Sequence, residues 1–134
     1  MSTQVKRFNP SAKHPERAAQ AWVILVGAAM NRQTLTYMGL SQLMYRRKAA
    51  GVLDRVLGHI AFYCKEMELP VLTSIVVGKT RGTPGDDIPL DWEDPNEERE
   101  RVYAENWFDI RCPQPEELLA AFNRAIRANK ADDA

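Results

Sequence analysis

The sequence has little with which to hold a metal or to cross-link itself. Its 134 residues include two cysteines and two histidines. Cys64 falls inside a helical apolar pattern and Cys112 stands between Arg111 and Pro113, with no CxxC pair or Cys/His cluster, so the usual zinc spacings are excluded. A structural cysteine pair stays open on sequence, and we expect two buried free thiols in a reducing compartment. Long apolar runs are missing too. The longest, Ala18 to Met30, is interrupted by Gln20 and is too short to span a bilayer. Lys6 and Arg7 lead into Asn, Pro and Ser rather than an apolar stretch, which is not a signal-peptide pattern, and we place the protein in the cytoplasm. No internal repeat or low-complexity block is visible. Gly82-Thr83-Pro84-Gly85 lacks the Gly-Lys-Ser/Thr ending of a phosphate loop, and Asp86, Asp87, Asp91, Glu93 and Asp94 do not have calcium-loop spacing. His59 has no nucleophile or carboxylate at a recognisable spacing, and His14 reads as a helix-start residue. The expectation is no metal, no cofactor and no catalytic residue.

What is present is an ordinary globular composition, 45% apolar and 27% charged. That amount of chain forms one domain with a real core. We expect a mobile basic arm over 1–13, a single domain over 14–130 and a frayed tail over 131–134. The net charge of zero conceals a split: residues 1–81 carry 12 Lys/Arg against 4 Asp/Glu, and residues 82–134 carry 6 against 14. Charge alone admits two readings, an anionic partner for the first part or mutual neutralisation of the two parts across a folded interface.

Hydrophobic periodicity predicts a mainly helical α+β chain. His14-Pro15-Glu16 opens a helix whose Ala18, Ala19, Trp22, Val23, Leu25, Val26 and Ala29 make it a core element, ending at Asn31-Arg32-Gln33. Thr34-Leu35-Thr36 reads as a brief strand, with Thr36 placed to cap a helix that begins at Tyr37. Leu40, Leu43 and Met44 precede the basic step Arg46-Arg47-Lys48, and Ala49, Val52, Leu53, Val56, Leu57 and Ile60 continue the period to about Glu68. Helix, basic step, helix is the layout of a helix-turn-helix. Leu69-Pro70 stops it, and Val71 to Val77 is β-branched and apolar, a strand. The glycine-rich basic turn 78–85 and Ile88-Pro89-Leu90 then suggest a hairpin, which would make the unit a winged helix-turn-helix with additional N- and C-terminal helices. Asp94-Pro95-Asn96-Glu97-Glu98 starts a helix whose carboxylates should mostly form a solvated face. Trp107 to Ile110 should pack on the core or add a strand, and Pro115 starts a last amphipathic helix carrying Leu118, Leu119, Phe122 and Ile126.

Such a unit can lay its second helix against double-stranded DNA. Arg46, Arg47, Lys48 and Arg55 would meet phosphates, Ser41 and Gln42 would supply short polar groups, and Lys79 with Arg81 at the wing tip would reach a second stretch of backbone. Asp54, beside Arg55, counts against this reading. The competing class is a protein-interaction adaptor using the acidic 86–100 segment around Trp92. A small enzyme built on Thr73, Ser74 and His59 is the least favoured. The residues do not report an oligomeric state, and nothing in them calls for a membrane.

Thr36-Tyr37-Met38-Gly39-Leu40-Ser41, with Ala49-Ala50 after Lys48 and Val76-Val77 after the turn, resembles the C-terminal winged-helix domain of the O6-alkylguanine DNA alkyltransferases and the alkyltransferase-like proteins. The resemblance covers about a third of the chain. It implies a phosphate contact for Tyr37 beside a flipped nucleotide. The family's intercalating arginine falls on Gly51, and its Pro-Cys-His-Arg motif falls on Leu72, Thr73, Ser74 and Ile75, so the alkyl acceptor is replaced by a hydroxyl with no nearby base. What the resemblance implies is DNA binding without alkyl transfer, in regulation or lesion sensing.

Overall fold

The structure, a computed structural model, describes residues 14–47, 49–78 and 95–132. Helix α1 (His14–Met30) leads into β1 (Leu35–Thr36), α2 (Tyr37–Tyr45) and α3 (Ala50–Glu66). A turn of 3-10 helix (Leu72–Ile75) opens onto β2 (Val76–Val77), and α4 (Pro95–Ala104), a second 3-10 turn (Trp107–Asp109) and α5 (Pro115–Asp132) complete the chain. Residues 1–13, where a basic arm is expected, Lys48, residues 79–94, where the hairpin is expected, and the last two residues lie outside the described residues.

Local chemistry sets the first boundaries. At the end of α1 the Asn31 side-chain amide donates to the Gly27 carbonyl at 3.0 Å, the Gln33 amide reaches back to Ala28 at 2.9 Å, and Arg32 takes a left-handed φ of 54°. Thr36 sits in extended backbone and its hydroxyl accepts the Gly39 amide at 2.9 Å, the expected N-cap of α2. The cap has room because residue 39 is glycine: a Cβ there would stand 3.0 Å from the Thr36 oxygen.

The core lies where α1, α3 and α5 pack on one another. Trp22 of α1 is 2% exposed and meets two rings edge-on, Tyr63 of α3 at 5.8 Å and Trp107 at 5.7 Å between centroids. Leu25, Leu53, Leu57, Ile60, Ile75 and Leu118 fill the remainder, all fully buried. Trp107 is fixed further by its indole N–H, which donates to the Val102 carbonyl at 2.7 Å and so ties α4 to the core.

Several expectations are corrected. The seven-residue strand over 71–77 is reduced to Val76–Val77, preceded by the 3-10 turn. Its peptide groups are taken by side chains from α4: the Val71 amide donates to Glu98 at 2.8 Å, and Arg99 Nε donates to the Ser74 carbonyl at 2.9 Å. Tertiary hydrogen bonds thus override the β-propensity of the segment. β2 pairs in parallel with β1, Leu35 opposite Val76 and Thr36 opposite Val77. The hairpin wing was expected to run through Ile88–Leu90, outside the described residues. Glu97 and Glu100 are exposed as expected while Glu98 is buried, and Val23, Leu43 and Phe108, expected to pack, are exposed. Of the two alternatives for Trp107 to Ile110, packing on the core is the one found, through buried Trp107 in a 3-10 turn; Cys112 is exposed, and α5 runs two residues into the expected tail. Among the described residues, no helix is long and apolar enough to cross a membrane, and no group of three His, Cys, Asp or Glu could hold a metal ion.

His59 of α3 is 2% exposed. Its ring stacks on Phe122 of α5 at 4.1 Å and 3° between planes, and Nδ1 donates to the Arg55 carbonyl at 2.7 Å. Burial is the main cause that lowers its pKa below 6.5, with His14 and Arg55 adding to the fall and the Arg55 carbonyl opposing it. The unfolded chain therefore takes up this proton first as pH falls. The stabilisation from neutral His59 is present above the unfolded value and is lost as pH drops through it toward the folded value. Melting temperature should fall between pH 7.5 and 5, and His59→Phe should remove part of that slope; identical slopes in parent and variant would contradict the assignment.

Candidate nucleic-acid interface

The α2–α3 unit is held at its turn by one side chain. Arg46 caps α2 in a left-handed conformation, φ 59°, with its amide donating to the Gln42 carbonyl at 3.1 Å. Ser41 Oγ then donates to the Arg47 carbonyl at 2.6 Å and accepts the Ala49 amide at 2.7 Å, bridging the step from inside. Ala49 is nearly fully buried against it. The helix after the step starts without a side-chain cap, so Ser41 supplies from the preceding helix the fixation an N-cap would give.

This placement corrects the reading of Ser41 as a contact residue: it is 2% exposed, both hydrogen-bonding directions of its hydroxyl are used, and it faces inward. The other expected contacts divide. Gln42, Arg46, Arg47, Gly51 and Arg55 are exposed, and Tyr37 is half-buried at the first turn of α2. Arg46 and Arg55 form no ion pair with another described residue. Lys48, Lys79 and Arg81 lie outside the described residues. Gly51 is open, since an added Cβ would meet nothing within 4 Å. Asp54 is half-buried on α3.

The apolar side chains of the unit differ from the expected seam. Leu40 and Met44 are buried, while Leu43, Met38 and Val52 are exposed, at 61%, 40% and 36%. Residues that sequence reasoning missed are Arg17 and Tyr45. Arg17 is buried on the core stripe of α1, and its guanidinium carbon lies 5.0 Å from the centroid of the Tyr45 ring. A cation at a core-stripe position, between His14 and Ala21 on the same face, was the available signal.

The Leu72–Ile75 turn, onto which the resemblance carries the alkyl-acceptor motif, is closed. Thr73 and Ser74 are fully buried, and neither hydroxyl has a hydrogen-bond partner among the described residues. Cys64 is brought near this turn by the fold, within hydrogen-bonding reach of the Leu72 backbone. Its thiol is pushed up to about 12, by complete burial first and the nearby Glu98 second, against the pull of the Leu72 hydrogen bond. Little thiolate exists at neutral pH, so Cys64 is a poor nucleophile.

The charge split is partly resolved inside the fold. Arg32 pairs with Glu100 of α4 at 2.8 Å in the sense that neutralises the split, whereas the pair of Glu66 with Arg124 of α5, at 2.7 Å, joins the minority charge of each part. Of the acidic segment's described carboxylates, Glu98 is buried on the Val71 amide and Glu100 meets Arg32, so two of them serve α4 docking. Residues 86–94 lie outside the described residues. Comparison of the chain with protein-family models, curated proteins and solved structures found no match.

Ser41→Ala leaves the Ala49 amide without its buried partner and should cost about 1–3 kcal/mol in denaturant unfolding, with faster exchange at Ala49. Arg46→Gly relieves a left-handed non-glycine residue and should stabilise by about 1 kcal/mol. An unchanged unfolding midpoint in either variant would contradict these assignments.

Proposed function

We propose that the protein binds double-stranded DNA by its backbone through the α2–α3 helix-turn-helix, without catalysis. The observation that carries this reading is that Arg46 and Arg47 are exposed on a turn pinned from within by Ser41, and Arg55 is exposed on the helix that follows it. Cations on a rigid step are what phosphate contact requires, since each neutralised phosphate releases condensed counterions. The left-handed Arg46 adds support: a long cation occupies a position where glycine would be less strained, although Arg32 and Glu68 share that conformation elsewhere.

The resemblance to the alkyltransferase-like winged helix supports the same reading and shapes its limits. Tyr37 stands at the start of α2, where the family's phosphate contact would be. Gly51 offers no side chain to fill a gap in the base stack, and buried Thr73 presents no accessible acceptor. We therefore favour a regulatory or architectural binder over one that extracts a damaged base. The wing, with Lys79 and Arg81, and the basic arm belong to the proposal as additional backbone contacts. Exposed Leu43 and Val52 would add apolar contact with sugars or thymine methyl groups.

Three phosphate contacts give a slope of about −2.7 in log affinity against log salt, roughly a 40-fold loss between 50 and 200 mM. Fluorescence anisotropy on a random duplex should show at least that slope, steeper if Lys48, Lys79 and Arg81 also engage. The double charge reversal Arg46→Glu with Arg47→Glu should abolish binding while the melting temperature stays near the parent's. Duplexes with and without O6-alkylguanine should bind alike. Parent-like binding by the double variant would place the contact surface elsewhere, and preference for the alkylated duplex would favour lesion sensing.

A further inference from the structure

Arg17 lies on the buried stripe of α1, among positions otherwise filled by Ala18, Ala21, Trp22 and Leu25, and is itself 8% exposed. Desolvating a guanidinium is costly, so the burial calls for compensating contacts. Nη1 donates to Gln20 at 2.9 Å, and the guanidinium carbon lies 5.0 Å from the centroid of Tyr45, the last residue of α2. The guanidinium carbon of Arg47, two residues further on, lies 5.9 Å from the same centroid. Both distances are within the range of cation–π attraction. One ring is thus shared by a buried cation from α1 and an exposed cation from the basic step.

The phenol itself points to the same use. Tyr45 Oη is buried and has no hydrogen-bond partner among the described residues, although buried tyrosines usually find one. The position therefore gains from the ring and not from the hydroxyl. Burial raises the pKa of Tyr45 while Arg17 and Arg47 each lower it, as expected for two cations held at one aromatic group.

We propose that Arg17 and Tyr45 are positioning residues for Arg47, forming a stack that seats the Arg47 guanidinium at the rim of the helix-turn-helix before any phosphate arrives. This rests on the DNA-binding reading above. An unseated arginine loses rotamer freedom when it grips a phosphate; one already resting on a ring loses less. From the usual strength of an exposed cation–π contact, the seat raises affinity roughly two- to fivefold. Arg17 acts from behind by fixing the plane and position of the ring.

The test is a double-mutant cycle on duplex binding by anisotropy at fixed salt, with Tyr45→Leu, Tyr45→Phe, Arg17→Met and Arg47→Ala. Tyr45→Leu should weaken binding roughly two- to fivefold in the parent and add nothing when Arg47 is already alanine. Tyr45→Phe, which keeps the ring and drops the unpartnered hydroxyl, should bind like the parent. Arg17→Met should show the same non-additivity with Arg47→Ala, and it carries the cycle if Tyr45→Leu fails to fold. In the free protein, the Arg47 Nε–Hε NMR signal should show a ring-current shift that survives Tyr45→Phe and disappears in Tyr45→Leu or, failing that variant, moves in Arg17→Met. A fold-loss that is equal with and without Arg47 would make Tyr45 merely structural and overturn the proposal. Weakening by Tyr45→Phe equal to that by Tyr45→Leu would overturn it in favour of a direct hydroxyl contact. If the parent binds no duplex at low salt, the DNA reading falls and this inference with it; if the parent binds and the cycle is additive, only the positioning role falls.

Discussion

The surface proposed for DNA depends on one buried hydroxyl. Ser41 joins the Arg47 carbonyl to the Ala49 amide, so the chain between α2 and α3 is defined by a buried oxygen. Without that bridge the step would be a short run of like charges with every reason to spread apart. With it, the backbone on either side of Lys48 is tethered and the arginines project from a fixed base. The same economy recurs at the start of α2, where the Thr36 hydroxyl takes the Gly39 amide. In each case a small polar side chain fixes the backbone while long cations remain at the surface.

A second constraint comes from the acidic part of the chain. Glu98 and Arg99 of α4 satisfy backbone groups at Val71 and Ser74, and Arg32 meets both Glu100 and the Tyr103 ring. These contacts hold the 3-10 turn against the core and convert part of the sequence's charge asymmetry into internal adhesion. The exposed ion pairs add little to stability, because solvent screens them and ordering long side chains costs entropy. The buried Glu98 contact differs, since losing the carboxylate would leave a backbone amide dry and unpaired.

Elements governed by neighbours in sequence were legible. The start of α1, its end at Asn31, the Thr36 cap and the bounds of α2 follow from residues within a turn of each boundary. Val71 to Val77 was not, because its conformation is set by side chains from α4 that sequence periodicity cannot bring near. Ser41 was misplaced for a related reason. On the helix it lies beside Leu40 and one turn before Met44, so the buried seam runs through Leu40, Ser41 and Met44 and leaves Leu43 outside. Treating a serine as polar hid that it could be buried with its hydrogen bonds complete. Arg17 is not legible from the apolar periodicity of α1, because the informative residue there is the charge among the apolar positions.

The two rungs between Leu35–Thr36 and Val76–Val77 carry a consequence for how the molecule assembles. Because the pairing is parallel, the chain enters and leaves the α2–α3 segment heading the same way, and everything between is a loop cinched at its neck. Helix, step and helix are joined by contacts close in sequence, whereas the neck carries the loop-closure cost of the whole segment and is supported by the hydrogen bonds from Glu98 and Arg99 of α4. The neck is thus a latch on the fold, drawing together the two ends of the α2–α3 segment.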